Sequence, residues 1–255
     1  MPSIAELRAV TQPAALLARP SAEHWAGRLY MRRLSPHVTR LLLRTRLSPN
    51  AVTALMIPIG LFAALTLAFP GLLFAVGAVL LVQLQLLLDC SDGEMARWRR
   101  QFSPAGVYLD QVAHYATEAA LPAALGIRAD GGWDSIGGWT ALGLAVGVLI
   151  LLLKSETHLV FFARARAGLP AGPEETPAVS PSSRRFSPRQ GIRLLPFLRP
   201  FQAVEASLLA FAAAVVDARA DGLPGTRALV LTLVAAAGIA VVGHLLAVLT
   251  SSRLR

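Results

Sequence analysis

Six apolar stretches follow one another along this chain, at about residues 51–69, 72–88, 104–127, 136–162, 201–216 and 227–250. A hydrocarbon layer about 30 Å thick is crossed by about 20 residues of helix, and repeated runs of that length do not suit a soluble core. Inside lipid each backbone N–H and C=O must be bonded within its own segment or within a closed barrel. Runs this long with no alternation of polar residues therefore select helices. The expected fold class is an all-α integral membrane protein with six transmembrane helices. A hydrophobic share of 55% and a mean hydropathy of +0.55 agree with it. Helix starts are written between the runs: Ser48-Pro49-Asn50 before the first and Ser103-Pro104 before the third, each with proline in the first turn.

The formal net charge of +9 comes almost entirely from arginine, since Lys154 is the only lysine. The arginines are concentrated in the leader, in the turn after Arg97, in the loop before Pro200 and in the tail, while the alternate loops carry as many acids as bases. That asymmetry places both termini and the 98–103 turn on the cytoplasmic side of a cell membrane. The basicity is thus topological, and nucleic acid is not an expected partner. Cys90 is the only cysteine, which excludes an internal disulfide and a thiolate zinc site. Residues 1–47 form a cytoplasmic region and residues 48–255 the membrane domain, with a flexible cytoplasmic loop at about 163–195. Glu6 and Pro13 argue against a cleavable signal peptide. Within the leader, Ser3 with Glu6 makes a capping box and Ser21 opens a second helix, with Trp25 and Leu29 on one face. A third helix runs over 35–46, and all three are expected to lie on an anionic leaflet.

Between the second and third runs lies the stretch DCSDGEMARWRRQFSPAGVYLDQVAH, residues 89–114. Residues 72–89 rise about 25 Å as a helix, so Asp89 falls near the hydrocarbon boundary. Asp89 and Asp92 share one helix face, and Asp110 and His114, four apart, share a face of the next helix. Two antiparallel helices can converge these side chains. Carboxylates without thiolates suit a hard cation such as Mg²⁺ or Mn²⁺, and at this depth they repel one another without one. Gly93, Ala96 and Gly106 remove bulk beside the acids, and Arg97 offers a planar fork for a phosphate. Singly, each of these residues also fits plain helix packing or acid–arginine pairing.

Together, D-x2-D-G-x2-A-R-x8-G-x3-D resembles the signature of the CDP-alcohol phosphotransferase family. The stretch LSPNAVTALMIPIGL is similar to the family's first-span start, and six spans are what the family has. The resemblance implies transfer of a substituted phosphate from a CDP-linked donor to an alcohol with release of CMP, by a homodimer within membrane lipid. It implies that Asp89, Asp92 and Asp110 ligate the metal. Asp89, Asp92, Gly93, Ala96, Arg97 and Gly106, with Asn50 and Thr53, are expected to receive the CDP moiety. Where the family has a fourth aspartate, this chain has His114, expected as base, as ligand or as both, because imidazole can accept a proton near neutral pH and bind metal. A relative without activity is the other outcome of that change. Glu118, one turn on, is a substitute base.

Lys154, His158, Arg193 and Arg199 are candidates for holding a phosphorylated acceptor, Lys154 having a snorkelling pair with Glu156 as its plainer reading. Glu205 is similar, and His244 reads as a packing histidine. The expected donor is CDP-diacylglycerol and the acceptor a small polar alcohol, such as an inositol phosphate or glycerol phosphate, in phospholipid synthesis. The reverse assignment moves a phosphoalcohol from a soluble CDP-alcohol to a lipid or polyol. A divalent-cation transporter is the alternative from another class, against which stands Arg97 beside the acids.

Overall fold

Ser3 sets the start of the first helix: its hydroxyl accepts from the Glu6 N–H and the Glu6 carboxylate accepts from the Ser3 N–H, the expected capping box. The computed structural model describes residues 1–13, 25–169 and 200–251. Arg193, Arg199, the helix start at Ser21 and most of the 163–195 loop lie outside the described residues. In order, the helices are α1 (Ile4–Thr11), α2 (Arg32–Leu42), α3 (Pro49–Leu67), α4 (Leu72–Arg99), α5 (Pro104–Asp130), α6 (Gly138–Arg166), α7 (Ala203–Asp217) and α8 (Pro224–Thr250), and no strand occurs among the described residues.

α3, α4, α6 and α8 are long and apolar enough to cross a membrane. They leave Leu73, Leu80, Val148 and Ile239 more than 60% exposed, a surface that lipid rather than water would cover. α5 and α7 stand where the third and fifth spans were expected. α5 carries Asp110, His114, Glu118, Arg128 and Asp130, and α7 has 15 residues, so by length and composition these two fall outside that set.

The chain divides into two compact units, Met1–Thr66 with Val76–Thr117, and Leu67–Ala75 with Glu118–Arg255. In the first, Val52 and Met56 of α3 pack with Leu88 and Met95 of α4 and Ala113 of α5. The two polar residues interrupting the second run are both used: Gln85 Nε2 donates to Met56 O (3.1 Å) and Thr117 Oγ1 (2.7 Å), and Gln83 Oε1 accepts from Tyr30. Ser48 and Ser103 cap α3 and α5 as their sequences predict, each accepting from the N–H three residues on. α4 ends with Arg100 in the left-handed region, φ 53°, and the Gln101 N–H returns to Ala96 O, so an arginine occupies the place that glycine usually takes in this helix stop.

A π-helical turn, Gly27–Met31, leads without a break into α2, so the expected second and third leader helices are one continuous piece over the described part. Pro36 sits inside α2 and has no N–H to offer the Arg32 carbonyl, which instead accepts from Gln12 Nε2 at 3.0 Å.

In the second unit the N-terminal half of α6 meets α5 backbone on backbone: a Cβ at Gly126 would lie 2.4 Å from Trp139 O, and one at Gly143 would lie 2.4 Å from Pro122 O. Its loops are closed by buried polar groups. The Arg128 side chain, fully buried, donates to Phe69 O, Gly71 O and Thr226 Oγ1. Asp130 accepts from the N–H groups of Gly137 and Thr140 at the start of α6, and Asp217 from those of Gly225 and Thr226 at the start of α8.

Candidate active site

The helical hairpin of α4 and α5, closed by the arginine turn, brings one acid from each helix to the same place. His114 Nε2 lies 3.4 Å from Asp110 Oδ1 and 3.7 Å from Asp89 Oδ1. One ligand atom from each of Asp89, Asp110 and His114 falls within 4.8 Å of the others. Asp110 and His114 meet because they are one helical turn apart, and Asp89 joins them because α4 runs antiparallel alongside. These side chains are about one-third exposed, at 31% for Asp89 and 34% for the other two. The set of two carboxylate oxygens and one imidazole nitrogen, open on one side, fits a divalent cation that keeps positions for other ligands.

Asp92, expected with them, is held differently. Its Oδ2 accepts from Thr53 Oγ1 at 2.5 Å, and Thr53 is itself buried against the first turn of α3. Asp92 therefore stands on the wall of a cleft of about 630 Å³ lined by Asn50, Thr53, Asp89, Asp92, Gly93, Ala96, Arg97, Gly106 and Asp110. That volume suits a nucleotide-sized ligand. All eight residues expected to receive CDP line it.

Two glycines there leave room for the polar side chains beside them. A Cβ at Gly93 would lie 3.1 Å from Arg97 Nη1, so the missing side chain leaves room for the Arg97 fork to fold back over its own helix. A Cβ at Gly106 would lie 2.8 Å from Asn50 Oδ1. Asn50 Nδ2 donates to Ser103 Oγ at 2.8 Å, and Ser103 caps Gly106, so the starts of α3 and α5 are tied together at the mouth of the cleft. In the sequence, the place of Ser103 before Pro104 marks it as a cap but not as a site residue.

The two described acceptor candidates, Lys154 and His158, belong to the second unit. Lys154 Nζ lies 2.6 Å from Glu118 Oε2, not on Glu156, and Glu118 is buried. Glu156 instead meets His244 Nδ1 at 2.8 Å. The packing role expected of His244 thus has a charged partner, and Glu118 is engaged by a cation in the second unit. His158 is exposed.

Two acids and a histidine thus gather beside a cleft in a protein whose longest helices are apolar enough to cross a membrane. Residues 46–171 are a domain of the CDP-alcohol phosphatidyltransferase family, and by it the chain belongs to that family. Two curated relatives are similar over part of their length. A bifunctional IPC transferase and DIPP synthase of Aquifex aeolicus is 32% identical over 102 residues, 40% of this chain and 22% of the relative. An archaetidylinositol phosphate synthase of Aeropyrum pernix is 40% identical over 83 residues, 32% of this chain and 40% of the relative. The chain thus covers well under half the length of either.

Proposed function

We propose that this protein is a divalent-metal-dependent transferase that moves a phosphatidyl or similar substituted phosphate from a CDP-linked donor to a small polar alcohol and releases CMP. The observation that carries the reading is the convergence of Asp89, Asp110 and His114 beside a cleft containing Arg97 and Gly93. CDP-diacylglycerol is the expected donor. An inositol phosphate is the favoured acceptor, because one relative is named for archaetidylinositol phosphate. The alcohol oxygen attacks the donor's β-phosphorus, the bond from that phosphorus to the CMP oxygen breaks with its electron pair, and the alcohol proton passes to a base. Mg²⁺ or Mn²⁺ held by Asp89, Asp110 and His114, with Asp92 adjacent, would neutralise the pyrophosphate charge. In this reading Arg97 binds a phosphate oxygen, and Thr53 orients Asp92 through its hydroxyl. The approach of His114 Nε2 to both carboxylates favours its role as third ligand over that of base. A six-span homodimer in a cell membrane, with termini and site on the cytoplasmic side and the exposed Leu29, Leu34 and Leu41 of the leader against the leaflet, completes the proposal.

The test is CMP release by the purified protein in lipid with Mg²⁺ or Mn²⁺, from CDP-diacylglycerol paired with inositol phosphate or glycerol phosphate and, for the reverse assignment, from soluble CDP-alcohols paired with lipid acceptors. CMP is expected from the first set. CMP from the second set alone would reverse donor and acceptor. No CMP from any pair, with cation flux into liposomes, would replace the enzyme reading with the transporter.

A further inference from the structure

One carboxylate of the 89–114 stretch is turned away from the cleft. Glu94, two residues after Asp92 and three before Arg97, is fully buried. Its Oε1 accepts from Gln12 Nε2 at 2.8 Å and from Ser35 Oγ at 2.5 Å, and its Oε2 accepts from Thr39 Oγ1 at 2.7 Å. Arg32 Nη1 lies 3.7 Å from Oε1. A buried carboxylate is tolerated only when it is paired and hydrogen-bonded, and here each of those groups comes from the leader rather than from the membrane helices.

The same leader reaches α4 again one turn further on. Arg97 Nε donates to Thr11 O at 2.6 Å. Thr11 ends α1, where a helix leaves carbonyls without intrahelical partners and favours a nearby cation. That bond occupies Nε and leaves the two terminal nitrogens of Arg97 lying over Gly93 on the cleft wall. Arg32, beside Glu94, lines the same cleft.

We propose that Glu94 is a positioning residue that clasps the leader onto α4 and so holds Arg97, and Arg32 with it, in place for the phosphates of a CDP-type ligand. The leader is then part of the nucleotide site. The proposal rests on the nucleotide reading of the cleft. A substitution at Glu94 should weaken binding of phosphate-bearing ligands specifically, because nucleoside contacts do not depend on the arginine fork.

The experiment compares the full chain with Glu94→Ala, Glu94→Gln and Thr39→Val, reading hydrogen exchange of the α1 amides and the affinities for CDP and for cytidine. In Glu94→Ala, α1 amides are expected to exchange at least about tenfold faster and CDP affinity to fall about tenfold, with cytidine binding unchanged. Glu94→Gln, which keeps an acceptor, should protect α1 better than Glu94→Ala. Thr39→Val, which leaves α4 intact, should shift both readouts in the same direction by less, and it carries the comparison if Glu94→Ala does not fold. Unchanged α1 exchange, released α1 with unchanged CDP affinity, or equal loss of CDP and cytidine would each overturn the proposal. A wild-type protein that binds CDP no better than cytidine would instead overturn the nucleotide reading itself, and the role of Glu94 with it.

Discussion

Asp217 and Asp110 are the same chemical group in opposite circumstances. Asp217 is buried in the second unit and accepts from two backbone N–H groups and the Thr226 hydroxyl, which in turn accepts from Arg128. Asp110 shares His114 with Asp89 on the wall of an open cleft. A buried carboxylate is costly, and the first arrangement offsets that cost with hydrogen bonds from within its own unit. The second gathers two acids at one place, which is a stable choice when a cation joins them. The difference separates polar residues that close a fold from those that serve a ligand.

Four substitutions would break or sharpen that contrast. Asp110→Asn should lower CMP release by about 1,000-fold, about 4 kcal/mol, while leaving thermal stability in detergent unchanged or raised, because it removes a like charge. Arg128→Leu should do the reverse. Leaving Phe69 O, Gly71 O and Thr226 without their donor costs about 3 kcal/mol, seen as a lowered unfolding midpoint, while kcat/KM of the surviving folded fraction stays near wild type. Thr53→Val should reduce kcat/KM about tenfold, about 1.4 kcal/mol, by freeing Asp92, with little effect on folding. Ser103→Ala removes the cap of α5 and should cost about 1 kcal/mol of stability, with a smaller loss of activity through Asn50.

The parts of this protein that follow from local chemistry were legible. Helix starts at Ser3, Ser48 and Ser103 are readable because a cap and its partner are three residues apart, and Asp110 with His114 because a helix turn brings them together. The seven signature residues line one cleft, together with Asn50 and Thr53 from the start of α3. What was not legible depends on distant segments. Glu94 looks like any polar residue between Gly93 and Met95 until the leader folds onto it. Arg128 reads as a loop charge, yet it is fully buried because acceptors from two separate places, the 69–71 turn and the start of α8, meet there. Nearness in sequence points Lys154 to Glu156, but residues two apart on a helix do not face each other, and Glu118 takes that place. Six spans are expected from the apolar stretches, whereas four described helices are long and apolar enough to cross, because α5 is polar where it builds the site and α7 is short.

The central claim is that Asp89, Asp110 and His114 together hold a divalent ion. Titration of the purified protein with Mn²⁺, followed by the loss of the free-ion electron paramagnetic resonance signal, tests it without reference to turnover. One ion per chain is expected for the wild type, with binding abolished by Asp110→Asn, weakened at least about tenfold by His114→Ala and restored by His114→Asp. Equal Mn²⁺ binding by the wild type and Asp110→Asn, or no binding by the wild type, would contradict it.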